Sequence, residues 1–182
     1  SSTLSSNAKV MPACYSDAVS LVALSTGKLF SGGLDLGSLR TFSAEQTRAF
    51  VSNVIRLFGR LLGFNCPTLC LVRGAAYAGG CMLAFSFDEI HCYETGTFCC
   101  NEVEMGLPLP PGMNAVVQRR MHHPRDVRDM VLYAKKFSAE EGLKIGFVDS
   151  IIKENPLTTM HKIAEARAAY SAHRDNFKKL KE

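Results

Sequence analysis

Two neighbouring glutamates are the carboxylates of this chain best placed for acid–base chemistry. Glu102 and Glu104 lie between the apolar run 98–100 and a segment rich in proline and leucine, 107–112. Apolar surroundings disfavour the charged form of a carboxyl and raise its pKa, which suits a base that must later return the proton as an acid. The pattern predicts a proton shuttle at one of the two glutamates and a solvated loop carboxylate at the other.

Two glycine-bearing loops each follow an apolar segment and could supply backbone donors. The first covers 30–36, Phe-Ser-Gly-Gly-Leu-Asp-Leu, and the second covers 73–84, with glycines at 74, 79 and 80. Glycine lets backbone N–H groups approach a ligand closely, and the second loop opens a helix whose first amides carry partial positive charge. Together the loops could form an oxyanion hole. The alternative is that both are tight strand-to-helix turns, and neither matches a dinucleotide-binding, P-loop or nucleophile-elbow motif.

Histidine and cysteine provide weaker candidates. His122 and His123 could bind a metal, but no third ligand stands at a helical or strand spacing, so a surface loop is favoured and no metal site is predicted. Cys81 follows the glycine pair, where a helix N-terminus could activate a thiol, but a buried core residue is favoured because no histidine is near in sequence. The seven cysteines lack paired spacing and indicate reduced thiols.

Composition limits the class of protein. The chain has 182 residues, of which 47% are hydrophobic and 21% charged, with a net charge of +4. These values predict one folded domain, with at most a small appendage, and exclude a disordered or low-complexity chain. The scattered basic residues permit an anionic ligand but indicate no nucleic-acid partner. The apolar stretch 68–87 contains Arg73 and three glycines, so we expect a buried strand and a helix rather than a membrane span.

Strand and helix patterns alternate along the chain, which predicts an α/β fold. The strand patterns cover 18–24, 68–72, 89–93, 97–100 and 147–152. The helix patterns cover 43–63, 79–87, 114–121, 126–135, 138–146 and 157–180, with a loop over 102–113. Two of these helices begin with capping boxes, Ser43 with Gln46 and Ser138 with Glu141. The chain is thereby divided into a polar N-terminal segment 1–17, a core 18–152 and a C-terminal helical segment 153–182.

The order and spacing of these motifs resemble the crotonase, or enoyl-CoA hydratase/isomerase, superfamily. The matching region spans roughly 19–152 and includes both glycine loops, the segment 102–107 and the segment 146–149. The resemblance implies a spiral of ββα turns with C-terminal helices that mediate homotrimers or hexamers. It also implies an acyl-coenzyme A thioester as the ligand, with no further cofactor and no membrane span. The thioester oxygen would be held by the N–H groups of Leu34 and Gly79.

In this superfamily the number of carboxylates in the site distinguishes the activities. Hydratases carry one Glu in the helix after the glycines and another beyond the next strands, and the corresponding residues here are Met82 and Glu102. Water addition calls for two such groups, whereas moving a double bond needs one base that takes a proton from C2 and returns it to C4. The resemblance therefore implies Δ3,Δ2-enoyl-CoA isomerase activity in fatty-acid β-oxidation, with Glu102 as the base and Glu104 as a minor alternative.

Further expectations follow from the same resemblance. The substrate would contact Ser31, Gly33, Leu34, Asp35, Leu36, Gly79, Gly80, Met82 and Leu109. Lys28 or Arg40 would meet the coenzyme A phosphates, and the compartment would be the peroxisome or the mitochondrion. Two alternatives stay open: another enolate-forming reaction, such as hydration, thioester hydrolysis or dehalogenation, and an acyl-CoA binder without catalysis. The usual opening hairpin and helix are largely absent, which implies an incomplete chain or a pared-down member.

Overall fold

A computed structural model of the chain describes residues 18–25 and 27–181, so the expected polar segment 1–17 lies outside the described residues. The strands are β1 Leu21–Leu24, β2 Thr68–Val72, β3 Ala75–Tyr77, β4 Glu89–Cys92, β5 Thr97–Cys99, β6 Phe137–Ser138 and β7 Ser150–Ile151. The helices are α1 Leu36–Leu39, α2 Ala44–Leu62, α3 Gly79–Phe85, α4 Pro111–Arg120, α5 Pro124–Leu132, α6 Ala139–Ile145, α7 Pro156–Ala168 and α8 Arg174–Lys181. Two 3-10 helices cover Glu102–Met105 and Ala169–His173.

The strands form two sheets that the chain visits in turn. The first sheet is parallel throughout, in the order β1-β2-β4-β7, and the second has the order β3-β5-β6, with β6 antiparallel to β5. Each successive turn places one strand in the first sheet and the next strand in the second, as β2 with β3 and β4 with β5 show. A bridge between Ser31 and Ala76 begins the second sheet. The ββα spiral with C-terminal helices is confirmed.

Strand β2 is an inner strand of the first sheet and is buried along its whole length. Cys70 and Val72 face the main core, which also contains the ring cluster of Phe85, Phe98 and Phe147. The alternate residues of β2, Leu69 and Leu71, pack in a second cluster with Met160 of α7. Both faces of the first sheet are therefore covered, which is why β2 has a continuous apolar sequence rather than an alternating one.

The predicted helix over 157–180 is wrong in one respect, because the structure divides it. The 3-10 helix Ala169–His173 separates α7 from α8. Its Ser171 is fully buried, donates from Oγ to the carbonyl of Ala168 at 2.9 Å and accepts from the N–H of Val19 at 2.8 Å. A serine hydroxyl that bonds to nearby backbone competes with regular helix geometry. The pattern of apolar residues in the sequence did not predict this contact with Val19, which lies 152 residues earlier.

Three short elements were not predicted. Strand β3 lies inside the predicted glycine loop 73–80, where its hydrogen bonds depend on β5, a distant partner. The two-residue strand β6 likewise depends on β5. Helix α1 begins at Leu36, where the carboxylate of Asp35 accepts hydrogen bonds from the N–H groups of Gly37 and Ser38. Helix α4 was predicted, but it starts at Pro111 and not at 114. Proline is tolerated in the first turn of a helix, which is consistent with this earlier start.

The apolar stretch 68–87 was expected to form a buried strand and a helix rather than a membrane span. It forms β2, β3 and α3, and none of the helices within 18–25 and 27–181 has both the length and the apolar character required to cross a bilayer.

Candidate active site

The two glycine loops meet backbone to backbone at the N-terminus of α3. The N–H of Tyr77 donates to the carbonyl of Ser31 at 2.9 Å, which joins the loops directly. A Cβ on Gly80 would lie 2.3 Å from that same Ser31 oxygen, and a Cβ on Gly33 would lie 3.0 Å from the nitrogen of Gly79. Gly33 also has φ of +96°, in the region that favours glycine. The close approach of the loops therefore requires glycine at 33 and 80.

Two backbone donors adjoin each other where these loops meet. Gly79 is the first residue of α3, so its N–H has no partner within the helix. Among the described residues, no acceptor pairs with this N–H or with that of Leu34. The two residues are in contact, since a Cβ on Gly79 would lie 3.4 Å from Leu34 Cδ2. They provide a pair of unpaired donors such as an oxyanion hole requires.

Ala78 holds the first turn of α3 in an unusual backbone conformation. Its φ is +51° and its ψ is −130°, values that are rare and strained for a residue with a side chain. Its N–H donates to the carbonyl of Cys99 at 2.8 Å, and its own carbonyl accepts from the N–H of Cys81 at 2.9 Å. These bonds keep the peptide that leads into Gly79 in place. Such strain is often found at functional sites.

A largely apolar cavity of about 360 Å³ is lined by both donor residues, Leu34 and Gly79. Leu34, Gly79 and Glu102 all line it, so the structure brings together the three residues predicted to be catalytic. Further walls come from α1, α2, β3, the 3-10 helix Glu102–Met105, the loop that leads into α4 and α4 itself. A mostly apolar cavity with a few convergent polar groups is typical of a small-molecule site.

Glu102 is the carboxylate of this cavity. It begins the 3-10 helix and is half-buried, and its Oε2 is buried without a hydrogen-bond partner. Burial raises the pKa of the Glu102 carboxyl above its usual range, while a hydrogen bond to its own backbone N–H opposes part of the rise. Glu104, in contrast, is exposed and lies outside the cavity lining. The geometry therefore favours Glu102 over Glu104 as the acid–base group.

The other residues predicted to contact substrate differ in their position relative to the cavity. Leu36 lines the cavity, whereas Ser31, Gly33 and Gly80 hold the two loops together behind it. The structure does not bring the last three predicted residues, Asp35, Met82 and Leu109, into this cavity. Asp35 is exposed and caps α1, Met82 is fully buried in the main core, and Leu109 lines a second, adjoining cavity.

Sequence reasoning missed several residues of the lining. Thr47 and Val51 come from α2, whose apolar face indicated only packing. Asn101 precedes Glu102 and also lines the cavity, and its Oδ1 is buried without a partner. Its position beside the predicted base was the one available signal. Tyr77 enters the lining from β3, a strand that was not predicted.

The weaker candidates have structural explanations. Cys81 is fully buried, and burial raises the pKa of its thiol well above the usual value, so the core interpretation is confirmed. His122 and His123 are exposed, and Nδ1 of His123 accepts from the N–H of Arg125 at the start of α5. Within the part of the chain that the structure describes, no three metal-ligating side chains come together.

Comparisons with known proteins show the family of the chain. The family model described as enoyl-CoA hydratase/isomerase matches residues 8–182. An enoyl-CoA delta isomerase 1, peroxisomal, from Arabidopsis thaliana is 34% identical over 137 residues, which are 71% of this chain and 54% of that relative. A carnitinyl-CoA dehydratase from Salmonella enteritidis is 30% identical over 139 residues, which are 75% of this chain and 52% of that relative.

A solved structure of a similar protein has the same fold. A probable enoyl-CoA hydratase from Mycobacterium tuberculosis superimposes with a TM-score of 0.81 at 25% identity, over 97% of this chain and 74% of that one. The spiral of ββα turns and the match to the family model place the chain in the crotonase superfamily. The chain belongs to the enoyl-CoA hydratase/isomerase family within it. It spans about half the length of the curated relatives it matches.

Proposed function

We propose that the chain catalyses the Δ3,Δ2-isomerisation of an enoyl-CoA thioester, converting a 3-enoyl-CoA into the trans-2-enoyl-CoA. The supporting observation is one half-buried carboxylate, Glu102, that lines the same apolar cavity as Leu34 and Gly79, whose N–H groups have no acceptor among the described residues. Met82 is fully buried in the helix that carries the second glutamate of the hydratases. The relative from Arabidopsis whose printed name is enoyl-CoA delta isomerase supports the same choice.

The geometry suits a one-base mechanism. The thioester oxygen accepts hydrogen bonds from the N–H groups of Leu34 and Gly79, which acidifies the protons on C2. Glu102 takes a C2 proton, and the negative charge spreads over a dienolate from the thioester oxygen to C4. The protonated carboxyl then returns the proton to C4, so the double bond moves to C2–C3 without any gain or loss of atoms. Because burial raises the pKa of Glu102, the carboxyl can act in both directions.

The first test is replacement of the proposed base. Glu102→Gln keeps the size of the side chain and removes its basicity, so we expect the conversion of 3-enoyl-CoA to fall by about 10²–10⁴-fold. The formation of the conjugated 2-enoyl thioester is followed by its absorbance. Glu104→Gln is the matched control and should retain wild-type turnover, because Glu104 is exposed and outside the cavity. Full activity in Glu102→Gln would refute the base assignment, and an inactive wild type would refute the isomerase.

Hydration or dehydration is a second candidate, and Asn101 favours it. This amide lies beside Glu102 in the same cavity, where its unpaired Oδ1 could accept from a water molecule or a hydroxyl group. A relative named carnitinyl-CoA dehydratase is consistent with such chemistry. The same preparations should be assayed for loss of 2-enoyl-CoA absorbance, because hydration removes the conjugated double bond. An acyl-CoA binder without turnover remains the outcome if both assays are negative while the thioester still binds.

We also propose an acyl-CoA thioester as the partner molecule, with no further cofactor, in a homotrimer or hexamer. Either of the exposed cations Lys28 or Arg40 is proposed to meet the coenzyme A phosphates. The peroxisome or the mitochondrion is the proposed compartment, and the printed name of the Arabidopsis relative supports the peroxisome.

A further inference from the structure

Asn101 directly precedes the proposed catalytic base and occupies a capping position that its side chain does not use. It is the N-cap residue of the 3-10 helix Glu102–Met105, and its side chain makes no hydrogen bond to the first turn. An asparagine at such a position normally accepts from the backbone N–H group two or three residues later. Here the backbone carbonyl of Asn101 accepts from the N–H of Glu104 at 3.1 Å instead. Capping therefore does not explain this side chain.

The cavity contains two buried acceptor oxygens that lack a donor. Oδ1 of Asn101 and Oε2 of Glu102 are both buried, and neither has a partner among the described residues. These side chains belong to adjacent residues and line the same cavity. A buried polar atom without a partner has lost its water and gained no bond in return, so each such atom calls for an explanation. A hydrogen-bond donor in this part of the cavity is what both oxygens require.

A protonated carboxyl supplies a donor of this kind. An ionised glutamate only accepts hydrogen bonds, whereas a neutral one also has an O–H group to donate. Burial raises the pKa of the Glu102 carboxyl, which favours the neutral form. Once Glu102 is neutral, its O–H group needs an acceptor, and Oδ1 of Asn101 is an acceptor without a donor. One hydrogen bond between the two side chains would therefore satisfy both.

The proposed isomerisation produces this neutral carboxyl as an intermediate, and the inference rests on that proposed function. In the first transfer, the C2–H bond of the substrate breaks and an O–H bond forms on Glu102. In the second transfer, the O–H bond breaks and a C–H bond forms at C4. Between the two transfers, the proton can exchange with any water that reaches the carboxyl. An acceptor beside Glu102 would hold the proton inside the cavity during that interval.

We propose that Asn101 is a positioning residue for the isomerisation, whose Oδ1 accepts a hydrogen bond from the protonated Glu102 carboxyl and so keeps the abstracted proton for C4. The amide itself gains and loses no atoms. A hydrogen bond between neutral groups is weak enough to break when the proton moves on to C4. It is also strong enough to change the ratio of return to C4 over loss to water by about twofold to tenfold.

The test follows the proton itself. A 3-enoyl-CoA thioester with deuterium at both C2 positions is converted in ordinary water, and mass spectrometry of the early product measures how much of the abstracted label reaches C4. Wild type is compared with Asn101→Leu, which removes the amide at similar size, and with Asn101→Asp, which keeps an acceptor oxygen. Asn53→Leu is the matched control, because Asn53 is exposed on α2 and lies outside the cavity lining. The ratio of retained to lost label belongs to each turnover, so it does not depend on how much of a variant is folded.

We expect wild type and Asn53→Leu to transfer label to C4 in equal proportion. Asn101→Leu should lower the ratio of retained to lost label by about twofold to tenfold, with KM changed by less than about twofold. Asn101→Asp should restore the ratio although its turnover falls, because two neighbouring carboxylates compete for one proton. Three results would each overturn the proposal: equal ratios in wild type and Asn101→Leu, a wild type that transfers no label, or a ratio in Asn101→Asp as low as that in Asn101→Leu.

Failure of the isomerase proposal is read separately by infrared spectroscopy, which needs no turnover. The carbonyl band of protonated Glu102 is assigned at acidic pH as the band that Glu102→Gln removes. If the O–H group of Glu102 donates to Asn101, this band should lie at a lower frequency in wild type than in Asn101→Leu. A wild type that shows the difference but does not convert 3-enoyl-CoA refutes the isomerase and supports the hydrogen bond. Identical bands in the two proteins refute the hydrogen bond whatever the activity.

Discussion

At the scale of the residue, the burial that prepares Glu102 for proton transfer also places a charge where water cannot reach all of it. Oε2 has no partner among the described residues, and burial raises the pKa of the carboxyl. Because that pKa is higher in the folded state than in the unfolded chain, the folded state binds more protons over the interval between the two values. The contribution of Glu102 to the free energy of unfolding is thus greatest below the pKa of the unfolded state, and it decreases as the pH rises through the pKa of the folded state.

Glu102→Gln is therefore expected to have a different pH dependence of stability from wild type. The variant cannot ionise, so its free energy of unfolding relative to wild type should increase as the pH is raised from 4 to 8. Chemical denaturation at several pH values measures this difference. The isomerase rate of wild type should rise over the same interval, as Glu102 loses its proton. Parallel stability curves for the two proteins would contradict the burial of this carboxyl.

At the scale of the element, the site depends on two loops that different strands hold in contact. The bridge from Ser31 to Ala76 and the pairing of β3 with β5 fix the first loop against the N-terminus of α3. The backbone of Ser31 occupies the space that a side chain at Gly80 would need. The position of the Leu34 and Gly79 donors is thus a consequence of backbone packing rather than of side-chain recognition.

Gly80→Ala should separate these loops. The new Cβ would lie 2.3 Å from the Ser31 carbonyl oxygen, so the backbone must move and the two donors lose their common geometry. We expect a loss of about 10²-fold or more in turnover and of about 1–3 kcal/mol in stability, measured by kinetics and denaturation.

Gly59→Ala on α2 is the matched control, because its Cβ would meet nothing within 4 Å. It should stabilise the protein by up to about 1 kcal/mol through helix propensity and leave turnover intact. Equal activity in Gly80→Ala and Gly59→Ala would contradict the close-packing argument.

At the scale of the whole molecule, the C-terminal helices are held to the spiral by a few partly buried polar contacts. Lys181 of α8 donates from Nζ to the carboxylate of Asp88 at 2.6 Å and to the carbonyl of Cys66 at 3.1 Å. The same Asp88 oxygen accepts from the backbone N–H and the hydroxyl of Thr68. One carboxylate thus connects the start of β2, the start of β4 and the end of α8. Met160 of α7 adds apolar contact with the outer face of the first sheet.

Lys181→Met should weaken the docking of α8. The Lys181 side chain is only 9% exposed, so its loss leaves a partly buried carboxylate without its cation, and we expect about 1–3 kcal/mol of destabilisation. Hydrogen exchange should show faster opening of α8 than in wild type. Lys179→Met, at an exposed position of the same helix, should change stability by less than about 0.5 kcal/mol. Equal effects of the two substitutions would indicate that the Asp88 contact does not anchor the helix.

The sequence by itself determined the elements that depend on local signals. Both predicted capping boxes are present, at Ser43 and Ser138, because a capping box joins residues only three apart. The alternation of strand and helix patterns indicated an α/β fold, because each of these patterns is local in the sequence. The glycine loops and Glu102 were also visible as residue types at fixed spacing, although their catalytic roles stay predictions.

The tertiary structure alone decided which of these residues meet. Strand β3, the break at Ser171 and the inclusion of Asn101 and Val51 in the cavity depend on partners far away in the chain. The same is true of the cavity that Glu102 shares with Leu34 and Gly79. Packing between distant segments sets burial, and burial sets the pKa of a carboxyl and the availability of a backbone donor. The spacing of residues along the sequence does not show directly which distant segments pack together.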